Sequence, residues 1–284
     1  MITVLESIKL STQYLSEKGI ESPRTNAEIL LADIIGCKRL NLYLLFDRPL
    51  AQIEVDQYRT YIKRRGNFEP LQYILGKVEF YGLELKVNPS VLIPRQETEL
   101  LVDNITDQTN KEKAQFILDV GCGSGNISIA LAVNLMNTKF ICIDVDEKVL
   151  QVALVNAEKH NVGNRIEFHI HNILKEDLKK YPMFDIIVSN PPYVSKESYP
   201  SLQKEIIDYE PQIAVTDESD GYTFFKMIAN KASAHLNANG KLFFEIGQGQ
   251  SEKVKQIMEQ CRFSNINVIK DYQNIDRIVY GEVL

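Results

Sequence analysis

Cysteine is scarce and scattered in this chain of 284 residues. Cys37, Cys122, Cys142 and Cys261 are its four cysteines, and no two of them have CxxC spacing. That pattern argues against a disulfide framework and against a cysteine-ligated zinc, and it is expected of a reducing cytoplasm. Cys142 falls in an apolar run and Cys122 in a glycine-rich turn, so packing accounts for both. Long apolar runs are missing as well: no uninterrupted stretch approaches the ~20 residues that a membrane helix needs. The opening Met1-Ile2-Thr3-Val4-Leu5-Glu6 has neither a basic leader nor a small-residue cleavage site, so export is not expected. There is no basic excess. Lys and Arg number 32 against 38 Asp and Glu, a net charge of −6 with pI near 5.4. A protein whose main partner is naked nucleic acid usually carries a basic face. The one dense cationic run, Lys63-Arg64-Arg65, reads as charge at a helix C-terminus, with a partner-contact patch as the alternative. His169 and His171 point to one face of a candidate strand. No cysteine or carboxylate stands near them at ligand spacing, so no metal site is expected.

What is present is a globular composition, 44% hydrophobic and 25% charged, at a length suited to one large domain or two ordinary ones. No internal repeat or low-complexity segment stands out. Residues 1–75 read as a small helical bundle. Val4, Ile8, Ser11 and Leu15 repeat at helical spacing before Gly19. A second helix follows Pro23, with Ala27, Leu30, Leu31 and Ile34 on one face and Gly36 as its stop. Pro49 interrupts the chain after Leu40 to Leu45, and another helix from Ile53 to Arg65 repeats Val55, Tyr58 and Ile62. Residues 76–93 read as a β-hairpin linker, since period-2 alternation follows Gly82. Residues 94–284 alternate helix and strand. Strands are expected at Phe116–Val120, Phe140–Ile143, Arg165–Ile170, Asp185–Ser189 and Lys241–Ile246. Helices are expected at Ile127–Val133, Glu147–His160 and Gly221–Leu236. Such alternation implies an α/β fold with a parallel sheet covered on both faces. At the end of the chain, Ile266–Lys270 and Arg277–Gly281 are close enough to pair as an antiparallel hairpin at the sheet edge.

Three segments in the last domain carry chemistry. The first, Asp119-Val120-Gly121-Cys122-Gly123-Ser124-Gly125-Asn126, follows an apolar strand and opens a helix. Its glycines let the backbone turn sharply and approach a ligand, and it lacks the lysine of a phosphate-binding P-loop. Asp119 is placed to meet a ligand's ammonium group. The second is Asp144, at the end of the following strand and about 20 residues beyond the loop, where a carboxylate accepts from both ribose hydroxyls. Asp146 and Glu147 next to it read as helix N-terminal acids. The third is Asn190-Pro191-Pro192-Tyr193, closing the strand Asp185–Ser189. The prolines fix the turn and remove donors, so the carbonyls nearby are free to accept. Two acceptors, the Asn190 side-chain oxygen and the Pro191 carbonyl, suit the two hydrogens of a planar –NH2 group whose lone pair is delocalised. Holding both hydrogens aims the nitrogen at an electrophilic methyl group and favours positive charge building on it. Tyr193 would pack over the flat group. The motif alone does not separate an adenine amine from a glutamine amide.

Together and in this order, the three motifs resemble the class I methyltransferases that carry an [N/D]-P-P-[Y/F/W] motif. The likeness narrows with Pro70-Leu71-Gln72-Tyr73-Ile74-Leu75-Gly76, Glu79-Phe80-Tyr81-Gly82 and Val91-Leu92-Ile93-Pro94-Arg95-Gln96-Glu97-Thr98-Glu99. It is reinforced by Tyr209-Glu210-Pro211, Lys270-Asp271-Tyr272 and Asp276-Arg277. These segments are similar to those of the peptide-chain release factor N5-glutamine methyltransferases, the PrmC/HemK family. The resemblance implies a seven-stranded Rossmann-like sheet and S-adenosylmethionine as cofactor, with S-adenosylhomocysteine as product. It also implies transfer to the glutamine of the Gly-Gly-Gln motif in release factors, which the helical domain helps to grip. Carried over by position, Asp119, Gly121, Cys122, Gly123, Ser124, Gly125, Asp144 and Asn190 hold the cofactor. Asn172 and Ile173 lie where the family contacts adenine, and Asn190, Pro191, Pro192 and Tyr193 hold the glutamine. Gln96 stands where the family usually has proline, and Asn172 where it often has aspartate. A nucleic-acid adenine or guanine N-methyltransferase is the rival reading, since an exocyclic amine would fit the same pocket. On duplex DNA such an enzyme must flip a base and grip phosphates, which the acidic balance does not favour. A binding module would have no use for the motif's geometry. A cytoplasmic monomer acting on a protein, with no membrane and no direct nucleic-acid partner, is therefore expected.

Overall fold

The computed structural model describes residues 2–283. The chain divides into two compact units. One runs up to Lys77 and takes in Gln203–Tyr209; the other comprises Val78–Leu202 and the chain from Glu210 onward.

The first unit is helical where the apolar spacing requires it. Val4–Glu17 buries Val4, Ile8, Ser11 and Leu15. It starts from a reciprocal cap, in which Glu6 N–H donates to Thr3 Oγ1 (3.3 Å) and Thr3 N–H to Glu6 Oε2 (2.9 Å). Pro23–Ile35 follows and ends at Gly36. Leu40 to Leu45 tightens instead into the 3₁₀ turn Arg39–Leu44, and Gln52–Gly66 is the long third helix. Lys63, Arg64 and Arg65 do occupy its last turn. Two of the three are consumed there. Arg64 forms a bidentate pair with Glu69 at 2.8 and 2.6 Å. Arg65 is buried and donates to Asn26 Oδ1 (2.8 Å) and the Glu69 carbonyl (2.9 Å), with Glu205 Oε2 at 2.8 Å. Helix-end charge and internal pairing thus account for most of this run.

The second unit opens on a two-stranded hairpin of β1 (Lys77–Phe80), whose first residue closes the first unit, and β2 (Leu83–Lys86). Its Phe80 and Leu85 are buried in the same cluster as the sheet, so the hairpin is part of this core. The sheet contains β3 (Gln115–Val120), β4 (Thr138–Asp144), β5 (Ile166–Ile170), β6 (Phe184–Ser189), β7 (Leu236–Glu245), β8 (Phe263–Lys270) and β9 (Asp276–Val283). Their order across it is β5-β4-β3-β6-β7-β9-β8. The pairs from β5 to β7 are parallel, and β9 pairs antiparallel with both β7 and β8. The expected tail hairpin is present, with β8 at the edge and β9 inserted beside β7.

Consecutive strand residues alternate between two cores. Ile117, Phe140, Cys142, Ile186 and Val188 belong to one, Leu118, Val120, Ile141, Ile143 and Ile187 to the other. Burial on both faces is why these strands read as continuous apolar runs. Glu99–Gln108, Asn126–Asn134 and Glu147–Lys159 cover the first face, while Thr223–Ser233 and Ser251–Gln260 cover the second.

Several expected boundaries are corrected. Arg165 ends a short 3₁₀ turn, and β5 begins at Ile166. Ile246 lies just past β7. The helix expected over Gly221–Leu236 spans only Thr223–Ser233, and Leu236 opens β7 opposite Phe184. Leu236 stands four residues after Ala232, so its spacing imitates one more helical turn; pairing with the sheet overrides that period.

Candidate active site

A cavity of about 370 Å³ opens at the C-terminal ends of β3, β4, β5 and β6, the usual ligand position in an open parallel sheet. Its wall includes Gly121 and Gly123 after β3, Asp144 closing β4, Asn172 and Ile173 after β5, and Asn190 and Pro192 after β6. Motifs that lie far apart in the sequence, from Gly121 to Pro192, are thereby brought around one space.

The glycine turn is held from several sides. Gly121 N–H and Cys122 N–H both donate to the Ile143 carbonyl, at 2.8 and 3.2 Å. Asn156, fully buried, donates to the Ser124 carbonyl (3.0 Å) and exchanges two bonds with the Lys86 backbone. Gly121 and Gly123 have φ of +73° and +55°, and a Cβ on either would project into open space. The Asp144 carboxylate accepts from Gly123 N–H (3.1 Å) and Val145 N–H (2.8 Å), which sets its orientation, while burial raises its pKa. Asp146 caps the next helix by accepting from Lys148 N–H at 2.8 Å.

Asp119 is fully buried and is not on the cavity wall. Ser128 Oγ donates to its Oδ2 at 2.6 Å, and its Oδ1 has no partner. Burial pushes its pKa up to about 7, against the Ser128 bonds that lower it. Cys122 is buried too, facing Cys142, whose bond and the surrounding burial raise its thiol pKa. Ser124 and Gly125 likewise shape the turn from outside the cavity. Asn172 uses its side-chain oxygen locally, accepting from Leu174 N–H at 3.0 Å. His169 and His171 each lie 5.5 Å from the Tyr181 ring, and no group of three metal-binding side chains occurs among the described residues.

Asn190 is positioned by its neighbours. Ser189 Oγ donates to the Val120 carbonyl at 2.7 Å, locking the end of β6 to the end of β3. Asn190 Nδ2 donates to Thr98 Oγ1 at 3.3 Å, and Thr98 Oγ1 donates to Glu245 Oε2 at 2.5 Å. The Asn190 side-chain oxygen and the Pro191 carbonyl accept no hydrogen bond among the described residues. Tyr193 is partly buried, which raises its phenol pKa, and its carbonyl accepts from Gln250 Nε2 at 3.0 Å. Its ring lies against Gly247, where a Cβ would come within 3.1 Å.

Thr98 and Glu245 do not follow from the three motifs. Thr98 lies in the Val91 to Glu99 segment that resembles the family's, and Glu245 is an isolated acid at the end of the apolar strand Leu242-Phe243-Phe244-Glu245. Arg95 and Glu210 lie, like Thr98, in segments that resemble the family's. Here they form an ion pair, and Glu210 also accepts from Ile93 N–H (3.2 Å), which fixes the cavity wall at Val91 and Leu92.

Comparison with known proteins decides the family. Residues 6–76 match the PrmC N-terminal domain, and residues 111–280 match a methyltransferase domain. A release factor glutamine methyltransferase of Geobacter sulfurreducens is 38% identical over 281 residues, covering 99% of this chain and 97% of that one. One of Fusobacterium nucleatum is 36% identical, covering 98% and 78%. The chain belongs to the release factor glutamine methyltransferase family. Among solved structures, a ribosomal protein L11 methylase from Lactobacillus delbrueckii superposes with TM-score 0.50 at 17% identity, over 70% of this chain and 86% of that one. That likeness agrees with the methyltransferase fold of the second unit.

Proposed function

We propose that this member of the family transfers a methyl group from S-adenosylmethionine to the side-chain nitrogen of the glutamine in the Gly-Gly-Gln motif of peptide-chain release factors. The observation that carries the reading is the pair of acceptors with no hydrogen bond among the described residues, Asn190 Oδ1 and Pro191 O, on a segment fixed beside the cavity. The printed function of relatives that match nearly the whole chain supports the choice of substrate.

The cavity fits the cofactor. Gly121 and Gly123 leave open the space that side chains would fill, Asp144 presents an oriented carboxylate, and Asp119 keeps one buried oxygen without a partner. In this reading Asp144 accepts from the ribose hydroxyls, and Asp119, behind the glycine turn rather than on the cavity wall, favours the ammonium group through its charge. Asn172 and Ile173 line the adenine side, where Asn172 Oδ1 accepts from Leu174 N–H and keeps a second lone pair for an adenine amino group. When bound, S-adenosylmethionine supplies a methyl group on a positively charged sulfur, which needs no metal or covalent enzyme intermediate.

The chain's own residues then have one task, which is to make a poor nucleophile attack. Asn190 Oδ1 and Pro191 O accept hydrogen bonds from the two N–H groups of the amide, fix its rotation and stabilise positive charge as it develops on nitrogen, which sheds one of its two protons to solvent once it carries the methyl group. Pro191 and Pro192 hold that geometry, and Tyr193 packs beside the flat group. The same reading makes the chain a cytoplasmic enzyme that works as a monomer. Among the described residues, no helix is long and apolar enough to cross a membrane.

The test incubates the protein with labelled S-adenosylmethionine and, separately, a purified release factor, tRNA, ribosomal RNA and DNA. Label is expected in the release factor, at the Gly-Gly-Gln glutamine. Label in nucleic acid but not in the release factor would overturn the reading in favour of base methylation.

A further inference from the structure

Glu245 is a fully buried carboxyl in the site that the proposed chemistry does not use. Its immediate partner is the Thr98 hydroxyl, and Thr98 in turn receives an N–H from Asn190. A carboxylate only accepts, so the single Thr98 proton must point to Glu245. The Thr98 oxygen is then left as an acceptor, and only the Nδ2 end of Asn190 satisfies it. The order of donors along the chain is therefore dictated from its buried end.

We infer that Thr98 and Glu245 are positioning residues, whose directed hydrogen-bond chain holds the Asn190 carboxamide with its oxygen toward the incoming nitrogen. The inference rests on the reading that Asn190 accepts from a planar –NH2 group. It matters because the two ends of a carboxamide have nearly the same shape and opposite hydrogen-bonding character. Flipped, Asn190 would present N–H to N–H and repel the substrate. An acceptor at the NH2 end also polarises the amide and makes its oxygen a stronger acceptor. A nearby carboxylate favours positive charge growing on the nitrogen.

Protonation reverses the logic. A protonated Glu245 donates to Thr98, which frees the Thr98 proton to point at Asn190 and favours the flipped amide. Burial pushes the Glu245 pKa up to about 7, with Glu97 raising it further and Thr98, Arg277 and Asn190 lowering it. The charged and titratable groups facing Glu245 are Glu97 from the turn before Thr98, Arg277 from β9 and the Tyr193 phenol. Arg277 is itself paired with Asp271 at 2.8 Å, so it does not replace Thr98 as the partner.

The test compares Thr98→Val, Thr98→Ser and Glu245→Gln with the wild type, measuring methyl transfer to a purified release factor from pH 5.5 to 8.5 and cofactor affinity by calorimetry. Thr98→Val should lower kcat by roughly tenfold to a hundredfold with cofactor affinity unchanged, as expected for loss of a preorganised electrostatic contact. Thr98→Ser, which keeps the hydroxyl, should restore kcat to within about threefold of wild type, a small fraction of that loss. The wild type should lose kcat below about pH 7, and Glu245→Gln should be slower and lack that acid limb. Wild-type kcat in Thr98→Val, or an unchanged acid limb in Glu245→Gln, overturns the inference while leaving the transfer reaction intact. No transfer by the wild type overturns the reading on which it rests, and the inference with it.

Discussion

Ser128 Oγ lies 2.6 Å from Asp119 Oδ2, a buried bond joining the end of β3 to the helix that starts after the glycine turn. The other Asp119 oxygen is left without a partner. A carboxyl so enclosed keeps its proton up to about pH 7, and the Ser128 bond is what prevents a larger rise.

That arrangement predicts an acid limb in cofactor binding. Below about pH 7 Asp119 gains a proton, and its attraction for an ammonium group is lost. Affinity for S-adenosylmethionine should fall by up to about tenfold per pH unit there, the limit for one coupled proton. Ser128→Ala removes a bond that favours the charged form, so the limb should move to higher pH. Asp119→Asn should bind more weakly at pH 8 and lose this limb. Calorimetric titrations at several pH values check it, and a limb that stays in place in Ser128→Ala would count against Asp119 as the ammonium partner.

Glu245 also bears on stability, with a sign opposite to that of an ordinary paired acid. Its folded pKa, about 7, lies above the ordinary glutamate value of 4.5. Below 4.5 both states are protonated and burial of this group carries no ionisation cost. Between 4.5 and 7 the unfolded chain ionises first, so stability falls as pH rises. Above 7 the full cost is present, on the order of 3 kcal/mol at most, from about 1.4 kcal/mol per pKa unit. Glu245→Gln should therefore be more stable than the wild type at pH 8, and the difference should shrink as pH falls toward 4.5. Urea unfolding at pH 8 and pH 5 measures it; a variant less stable than wild type at pH 8 would contradict the assignment.

Arg65 supplies a test in the helical unit. It is buried against Asn26, the Glu69 carbonyl and Glu205. Removing one partner of a buried charge pair strands the other, so Arg65→Ala should cost about 3 kcal/mol. Lys63 is exposed at the same helix end, and Lys63→Ala should change stability by no more than about 0.5 kcal/mol. Equal effects in urea unfolding would mean that Arg65 acts only as helix-end charge.

The parts of the molecule that sequence reading reached are those with local signatures. Val4, Ile8, Ser11 and Leu15 share one helix face because 3.6-residue spacing leaves no other choice. The apolar runs of β3, β4 and β6 are continuous because both faces are covered, and Asp144 and Asn190 end such runs. Thr98 has no such mark, and the mark of Glu245, an acid closing an apolar run, does not name its partner. They are 147 residues apart, and their meeting depends on β7 lying beside β6 and on the path of the entry segment past it. Leu236 was misplaced for the complementary reason, since four residues of spacing obey a helix and a strand start equally well. The polar groups that orient Asn190 are set by tertiary pairing, and a linear pattern does not encode them.

Asn190 separates binding from chemistry. Its side chain lines the cavity, but its Nδ2 is held by Thr98 and its oxygen is kept for the substrate. If that oxygen acts on the nucleophile, Asn190→Ala removes an interaction that strengthens as charge develops on nitrogen. It should lower kcat by at least about a hundredfold, as for loss of one preorganised group at a developing charge. Cofactor affinity should stay within about threefold of wild type, a small effect beside that loss. Asn190→Asp adds a charge and frees no N–H for Thr98, so it should not rescue transfer even though it restores an acceptor. Single-turnover methylation of a release factor, read beside the cofactor dissociation constant, tests both variants. Parallel losses in the two measurements would make Asn190 a cofactor residue first, and the nitrogen would then have to be held by the Pro191 carbonyl alone.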